Sequence, residues 1–266
     1  MIKKNDMSQI IYRKDGAVGR VTISNPKKFN AMTLGMWLEL PRVLKELDED
    51  PDVRVIVVSG EGERAFISGA DISEFDGLRD AQAAQDKFNA AVAGAYNAPS
   101  LCQKPVVASI RGICFGGGLG FAAACDVRLC SEDAIFRMPA ARLGLGYDPE
   151  GVKRFMDVIG LANTADIFYS ARQFNSKEAQ RMGFVSQIFA NEELEMQTDS
   201  YVKLVSENAP LTMAAAKFAM NQFLKPETDR DPARAAELFE HCYTSADYAE
   251  GRLAFAQKRT PVFTGK

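Results

Sequence analysis

Histidine is nearly missing from this chain: His241 is the only one among 266 residues. Cysteine is sparse as well. Cys102, Cys114, Cys125, Cys130 and Cys242 include no C-x-x-C pair. A zinc site or a Cys-His nucleophile therefore has little to be built from, and no metal set is expected. The thiols read as buried and reduced, the usage of a cytoplasmic protein. No apolar run approaches the roughly 18 residues of a membrane span. Basic excess is absent too: 32 Lys and Arg stand against 35 Asp and Glu, with no basic stripe. That argues against nucleic acid and membrane surfaces as partners. Residues 1–9 are polar, carry Lys3 and Lys4 and lack an apolar signal core. They read as a flexible lead-in, and the expected location is the cytoplasm. There is no fixed-period repeat and no low-complexity stretch.

What is present is enough apolar residue, 47%, for a sizeable core. Residues 10–12 and 18–23 read as strands around the turn Lys14-Asp15-Gly16, and Asn25-Pro26 ends that unit. Thr33 is placed to cap a helix whose stripe is Met36, Trp37, Leu40, Val43, Leu44 and Leu47, with Pro41 predicting a kink or a later start. Residues 53–58 read as a buried parallel strand and 60–69 as a loop. Residues 81–100 read as helix, 105–110 as strand, 127–130 and 134–136 as strands, 151–159, 163–170 and 176–182 as helices, and 184–188 as a last strand. From residue 192 the pattern is helical only. Alternating strands and helices predict an α/β core over 10–191 with a mainly parallel sheet, followed by an all-helical region over 192–266.

Gly116-Gly117-Gly118 sits between the strand-like Pro105-Val106-Val107-Ala108-Ser109-Ile110 and a small-residue helix-like run. Such a junction presents bare N–H groups at a helix start, and the missing Cβ atoms let a ligand approach the main chain. The chemistry it points to is backbone binding of a negative oxygen.

Four blocks in order carry a family resemblance: Asn25-Pro26 with Phe29-Asn30-Ala31; Ala65-Phe66-Ile67-Ser68-Gly69-Ala70-Asp71-Ile72; Lys104-Pro105 through Gly112, Gly116-Gly117-Gly118 and Cys125-Asp126; and Glu250-Gly251, Ala254-Phe255, Lys258-Arg259 and Phe263. In these the chain resembles the crotonase (enoyl-CoA hydratase/isomerase) superfamily. The resemblance implies a spiral core of ββα repeats, a C-terminal helical trimerisation region giving homotrimers or hexamers, and an acyl-CoA substrate. No tightly bound cofactor is implied; coenzyme A enters as part of the thioester. By motif match, the N–H groups of Ala70 and Gly117 hold the thioester oxygen. Fixed amide donors stabilise the charge that enolisation places there. The same matching gives Lys27, Lys28 and Phe29, the segment Ala65, Ser68, Gly69, Ala70, Asp71 and Ile72, and the C-terminal Phe263 and Lys266 as coenzyme A contacts. Solvated surface lysines are the other reading of the basic residues.

The chain departs from the pattern of a hydratase of this family at two places. Such an enzyme carries a glutamate two residues after the third glycine, where this chain has Gly120, and another after the proline matching Pro139, where it has Ala140. Adding water needs a positioned base and acid, each worth about 10²–10⁴-fold. The remaining candidates lie in Tyr147-Asp148-Pro149-Glu150. Asp148 matches a working aspartate of dienoyl-CoA isomerases and 4-chlorobenzoyl-CoA dehalogenases in the superfamily, and Tyr147 matches a tyrosine of methylmalonyl-CoA decarboxylases. The dehalogenase match lacks its histidine, and the decarboxylase histidine position falls on Ala70. Asp148 is a candidate to move a proton between carbons or to attack as a nucleophile. Equally, Asp-Pro is a common turn, and a carboxylate before Gly151 suits a helix N-terminus. Asp71 and Asp126 read as structural, and Arg137 and Arg142 as surface residues near the site loop. The expected function is enolate chemistry on an acyl-CoA by a variant isomerase or other proton-transfer enzyme; the alternative is a catalytically degenerate acyl-CoA binder.

Overall fold

A computed structural model describes residues 8–71 and 81–266, with the backbone alone at 81 and 82. The strands come in pairs. β3 (Val55–Gly60) is followed by β4 (Ala65–Ile67), β5 (Val106–Ile110) by β6 (Ile113–Phe115), and β7 (Val127–Ser131) by β8 (Ile135–Arg137). The first strand of each pair joins a six-stranded sheet and the second a four-stranded sheet. A helix follows each pair: α2 (Ala81–Leu101), α3 (Gly117–Ala124) and α4 (Ala140–Leu143). That is a spiral of ββα turns, as expected.

β1 (Gln9–Asp15) and β2 (Val18–Ser24) form an antiparallel hairpin at one edge of the large sheet. From β2 onward that sheet is parallel and ends at β10 (Gln187–Phe189). β9 (Gln173–Asn175) closes the small sheet against β8. Alternation along β3 and β5 divides the apolar residues between two faces. Val55, Val57 and Val107 meet Leu194 and Val202 of α7 (Leu194–Ser206). Ile56, Val58, Val106 and Ala108 join the main core with Trp37, Leu40 and Leu44 of α1 (Leu34–Glu49). With both faces covered, these strands read as continuous apolar runs.

Thr33 caps α1 by accepting from Met36 N–H at 3.2 Å. The helix does not start late at Pro41; α1 runs through it, and the buried stripe on both sides holds the helix together although Trp37 C=O loses its intrahelical donor. The 60–69 loop contains a strand, β4, too short to show periodicity. The last strand lies at 187–189 rather than 184–188, because Phe184 and Val185 turn inward as core residues. The two helices expected over 151–170 form α5 (Pro149–Ser170), interrupted at Gly160 with φ 75°. α6 (Ser176–Arg181) follows β9.

The helical region comprises α7, α8 (Pro210–Phe223), α9 (Pro232–Thr244) and α10 (Ala246–Gln257). Lys217 fastens α8 to the core: its ammonium is buried, donating to Asp126 Oδ2 at 2.6 Å and Lys104 C=O at 2.8 Å. Asp126 Oδ2 also accepts from Val106 N–H at 2.7 Å, so this aspartate is structural. Four of the five thiols are buried, Cys242 being the half-buried exception, and burial pushes Cys102, Cys125 and Cys130 up to about 12. His241 is exposed in the last turn of α9. Among the described residues, no helix is long and apolar enough to cross a membrane.

Candidate active site

The site is made of backbone before it is made of side chains. Gly116 has φ 50°, turns the chain out of β6 and becomes the N-cap of α3, so Gly117 is the first residue of that helix. A first-turn N–H has no intrahelical acceptor. Opposite lies the segment 68–71. Met32 pairs with Ala70 as an isolated parallel bridge, in which Met32 N–H donates to Gly69 C=O and Asp71 N–H to Met32 C=O, both at 2.9 Å. Those bonds use the groups flanking Ala70, so its own N–H points away from Met32. The two segments touch directly. A Cβ at Gly118 would fall on the Ile67 carbonyl, and one at Gly69 would lie 3.7 Å from Phe115 C=O. Among the described residues, no backbone carbonyl outside regular helices and strands accepts from Ala70 N–H or Gly117 N–H.

Helix α3 is held at both ends. Tyr96, on α2, donates its hydroxyl to Gly117 C=O at 3.1 Å. At the other end the buried Arg128 guanidinium donates to Cys125 C=O at 2.5 Å, to Ala122 C=O at 3.3 Å and to Phe184 C=O. A cation on the last carbonyls complements the helix dipole whose positive end is at Gly117.

The segment matched to coenzyme A contacts is brought alongside 68–71. Ser68 N–H donates to Phe29 C=O at 3.1 Å and Ser68 Oγ to Lys28 C=O at 3.1 Å. Asn30, buried and left-handed at φ 57°, donates to Ala65 C=O at 2.7 Å and fixes the turn. Lys28 pairs with the Asp71 carboxylate at 2.7 Å, and Lys27 is exposed. The Phe29 ring carries the Arg64 guanidinium 3.8 Å from its centroid. Ile72 lies outside the described residues. Phe263 and Lys266 sit elsewhere. Phe263 packs near Gly251, Lys266 C=O accepts from Ala246 N–H at 2.7 Å, and Gly265 lies beside Arg54, ahead of β3.

The loop before α5 separates its three candidates. Asp148 is the N-cap of α5, accepting from Gly151 N–H at 3.2 Å, and it is exposed. Glu150 is exposed in the first turn. Tyr147 turns inward. Its ring lies against Gly151, where a Cβ would come 2.6 Å from Cε1, and Phe155 and Phe168 brace it edge-on. Its hydroxyl reaches Gly120, where a Cβ would come 2.5 Å from it and would also fall on the Tyr96 hydroxyl. Burial pushes Tyr147 up to about 12 and Tyr96 well above the usual phenol range, so both stay protonated. The two hydroxyls are close enough to influence one another, yet Tyr147 Oη meets hydrogen-bond geometry with no described atom, and neither does the buried Trp37 Nε1. Ala140, where the second hydratase glutamate would stand, is buried in the first turn of α4. Arg142 is exposed, and Arg137 donates to Ala171 C=O at 2.7 Å.

Trp37 and Tyr96 are the site residues that sequence reasoning missed. Trp37 lies on a helical stripe that read as core and Tyr96 within a stretch read only as helix, and only the small residues at 120 and 151 signalled that something large fills the space above them.

The model of the enoyl-CoA hydratase/isomerase family matches residues 13–266. The chain belongs to that family. Two relatives show its spread. A short-chain-enoyl-CoA hydratase of Clostridium acetobutylicum is 29% identical over 96% of this chain and 97% of its own. A peroxisomal Δ(3,5)-Δ(2,4)-dienoyl-CoA isomerase of Arabidopsis thaliana is 30% identical over 94% and 93%. Among solved structures, an enoyl-CoA hydratase/carnithine racemase from Magnetospirillum magneticum superposes with a TM-score of 0.89 at 30% identity, covering 98% of this chain and 97% of that one. Relatives of this family named for hydration and for isomerisation match at nearly the same identity, so overall likeness does not choose between the two reactions.

Proposed function

We propose that this family member acts on an acyl-CoA thioester through an enolate whose oxygen is held by Ala70 N–H and Gly117 N–H. We further propose that the reaction is proton transfer, of the double-bond isomerase type, rather than hydration. The observation that carries this is the space above Gly120: two tyrosine hydroxyls are the nearest groups there, and among the described residues no carboxylate stands beside them. Asp148 and Glu150, at the start of α5, are the proton carriers of this reading. Lys27, Lys28, Phe29 and the segment 65–72 would hold the coenzyme A portion, with no resident cofactor.

A panel of enoyl-, dienoyl-, malonyl- and aryl-CoA thioesters in D₂O, followed by mass spectrometry, tests it. A shifted double bond with deuterium on the acyl chain is expected. Addition of one water would restore the hydratase reading. Binding without conversion of any member would make the chain an acyl-CoA binder, a reading favoured by one observation: the Asp148 carboxylate is engaged as a helix cap. Unchanged turnover in Asp148→Asn, Glu150→Gln and their double variant would remove both carboxylates from the mechanism.

The helical region would assemble copies into a homotrimer, or a hexamer of paired trimers. A groove of about 750 Å³ runs between α8, α9 and α10, bordered by Phe239, Tyr248, Phe255 and Phe263. Phe255 is 88% exposed and Phe223 74%, apolar area that a lone chain would leave in water. Phe263 lies in this groove, so a coenzyme A contact by the C-terminal tail would be made across such an interface. Light scattering at micromolar concentration is expected to give three or six times the 29.2 kDa chain mass; a monomer would overturn the assembly.

A further inference from the structure

Gly117 and Gly120 lie one turn apart on α3, about 4.5 Å along its axis, on neighbouring positions of one face. Three aromatic side chains from three separate elements converge there. The Trp37 ring comes 3.0 Å from the position of a Cβ at Gly117 and meets Tyr96 edge-on, with centroids 5.9 Å apart. Tyr96 Oη lies 3.6 Å from that same position and bonds Gly117 C=O. Tyr147 Oη stands over Gly120.

Two of the three polar tips, Tyr147 Oη and Trp37 Nε1, are sealed from solvent and meet hydrogen-bond geometry with no described atom, Tyr147 Oη lying beside the Tyr96 hydroxyl over Gly120. A buried donor without an acceptor is destabilising. The fold nevertheless makes room for Tyr147 twice, by omitting a side chain at Gly120 and at Gly151, and braces its ring with Phe155 and Phe168. All three tips can donate: an indole N–H only donates, and a phenol that stays protonated supplies an O–H. A carboxylate at 120 would have offered acceptors instead.

We propose that the Tyr147 hydroxyl, seconded by Trp37 N–H and held in register by Tyr96, is a donor subsite for a second oxygen of the acyl group. The site then selects acyl chains that carry their own carbonyl oxygen over plain hydrocarbon chains. The proposal rests on the acyl-thioester reading above. With the thioester oxygen on Gly117 N–H, an acyl chain that continues over the first turn of α3 meets the Tyr147 hydroxyl above Gly120. Tyr96 is a positioning residue here, since its own proton is committed to Gly117 C=O.

Calorimetric titration of the full chain with acetoacetyl-CoA and with butyryl-CoA tests the subsite, because the two acyl groups have equal length and differ in the second oxygen. Acetoacetyl-CoA is expected to bind about 3–10-fold tighter, the scale of one buried neutral hydrogen bond. Tyr147→Phe, which keeps the ring and its packing, is expected to bring the ratio to about one. Tyr96→Phe is expected to weaken both ligands together, through Gly117. Equal affinities in the unaltered protein, or a preference that survives in Tyr147→Phe, would overturn the subsite. If coenzyme A and both thioesters all fail to bind, the acyl-CoA reading itself falls, and the subsite with it.

Discussion

Replacing Gly117 by proline is expected to lower turnover about 10²–10³-fold, equivalent to about 2.7–4 kcal/mol of lost transition-state stabilisation, in a chain that still folds. Proline at this position removes the N–H and little else of the helix, because the first residue of a helix has no intrahelical acceptor to lose. The preceding residue, which proline restricts, is the permissive Gly116. Proline also adds a Cβ, which would lie 3.0 Å from Trp37 Cζ2. Gly117→Ala is therefore the necessary control: it adds the same carbon and keeps the donor. The measurement is kcat for whichever thioester of the panel is converted, with a thermal melt for each variant. A large loss in Gly117→Pro beside a small one in Gly117→Ala assigns the effect to the N–H. Equal losses in both would mean that crowding of Trp37, and not the missing donor, explains the result.

The backbone half of this site was legible in the sequence because its chemistry is written as missing side chains. A glycine run after an apolar strand announces free N–H groups, whereas Ser68-Gly69-Ala70-Asp71 is the partner segment only by what the family resemblance implies. The α1 stripe and its Thr33 cap were legible for the same local reason, since helical periodicity and capping need only near neighbours. Three-residue β4 was not, because it has no period to detect and exists only by pairing with β6. Nor was the meeting of Trp37, Tyr96 and Tyr147. It depends on how α1 and α2 pack on α3 and on how the loop ahead of α5 folds back, all of which are tertiary facts. Asp148 carried two readings at once, a catalytic aspartate and a turn residue ahead of a helix, and the structure makes it the cap of that helix while leaving the carboxylate exposed at the loop.

Restoring a hydratase-type glutamate at position 120 is expected to destabilise the chain rather than create a hydratase. The obstacle begins at the first carbon. A Cβ on Gly120 would come 2.5 Å from Tyr147 Oη and Tyr96 Cζ and would fall on Tyr96 Oη. Overpacking of this kind costs about 1–3 kcal/mol. Gly120→Ala already carries that cost, and for a chain of this size it corresponds to a melting point lower by roughly 2–12 °C. Gly120→Glu adds a carboxylate among aromatic rings. Tyr96 can donate to it only by leaving Gly117 C=O, and the desolvation of the carboxylate exceeds what the one Tyr147 hydroxyl returns, so a further fall in melting temperature relative to Gly120→Ala is expected. Combining Gly120→Glu with Tyr96→Ala and Tyr147→Ala clears the three contacts and is expected to recover part of the lost stability. Differential scanning calorimetry of the four proteins, alongside a crotonyl-CoA hydration assay, reads both quantities. A Gly120→Glu protein that melts with the parent and hydrates crotonyl-CoA would show that the space above α3 is merely vacant. The expected pattern, with stability lost at the first added carbon and regained as the tyrosines are removed, would show that α3 lost its carboxylate because that volume was given to the two phenols.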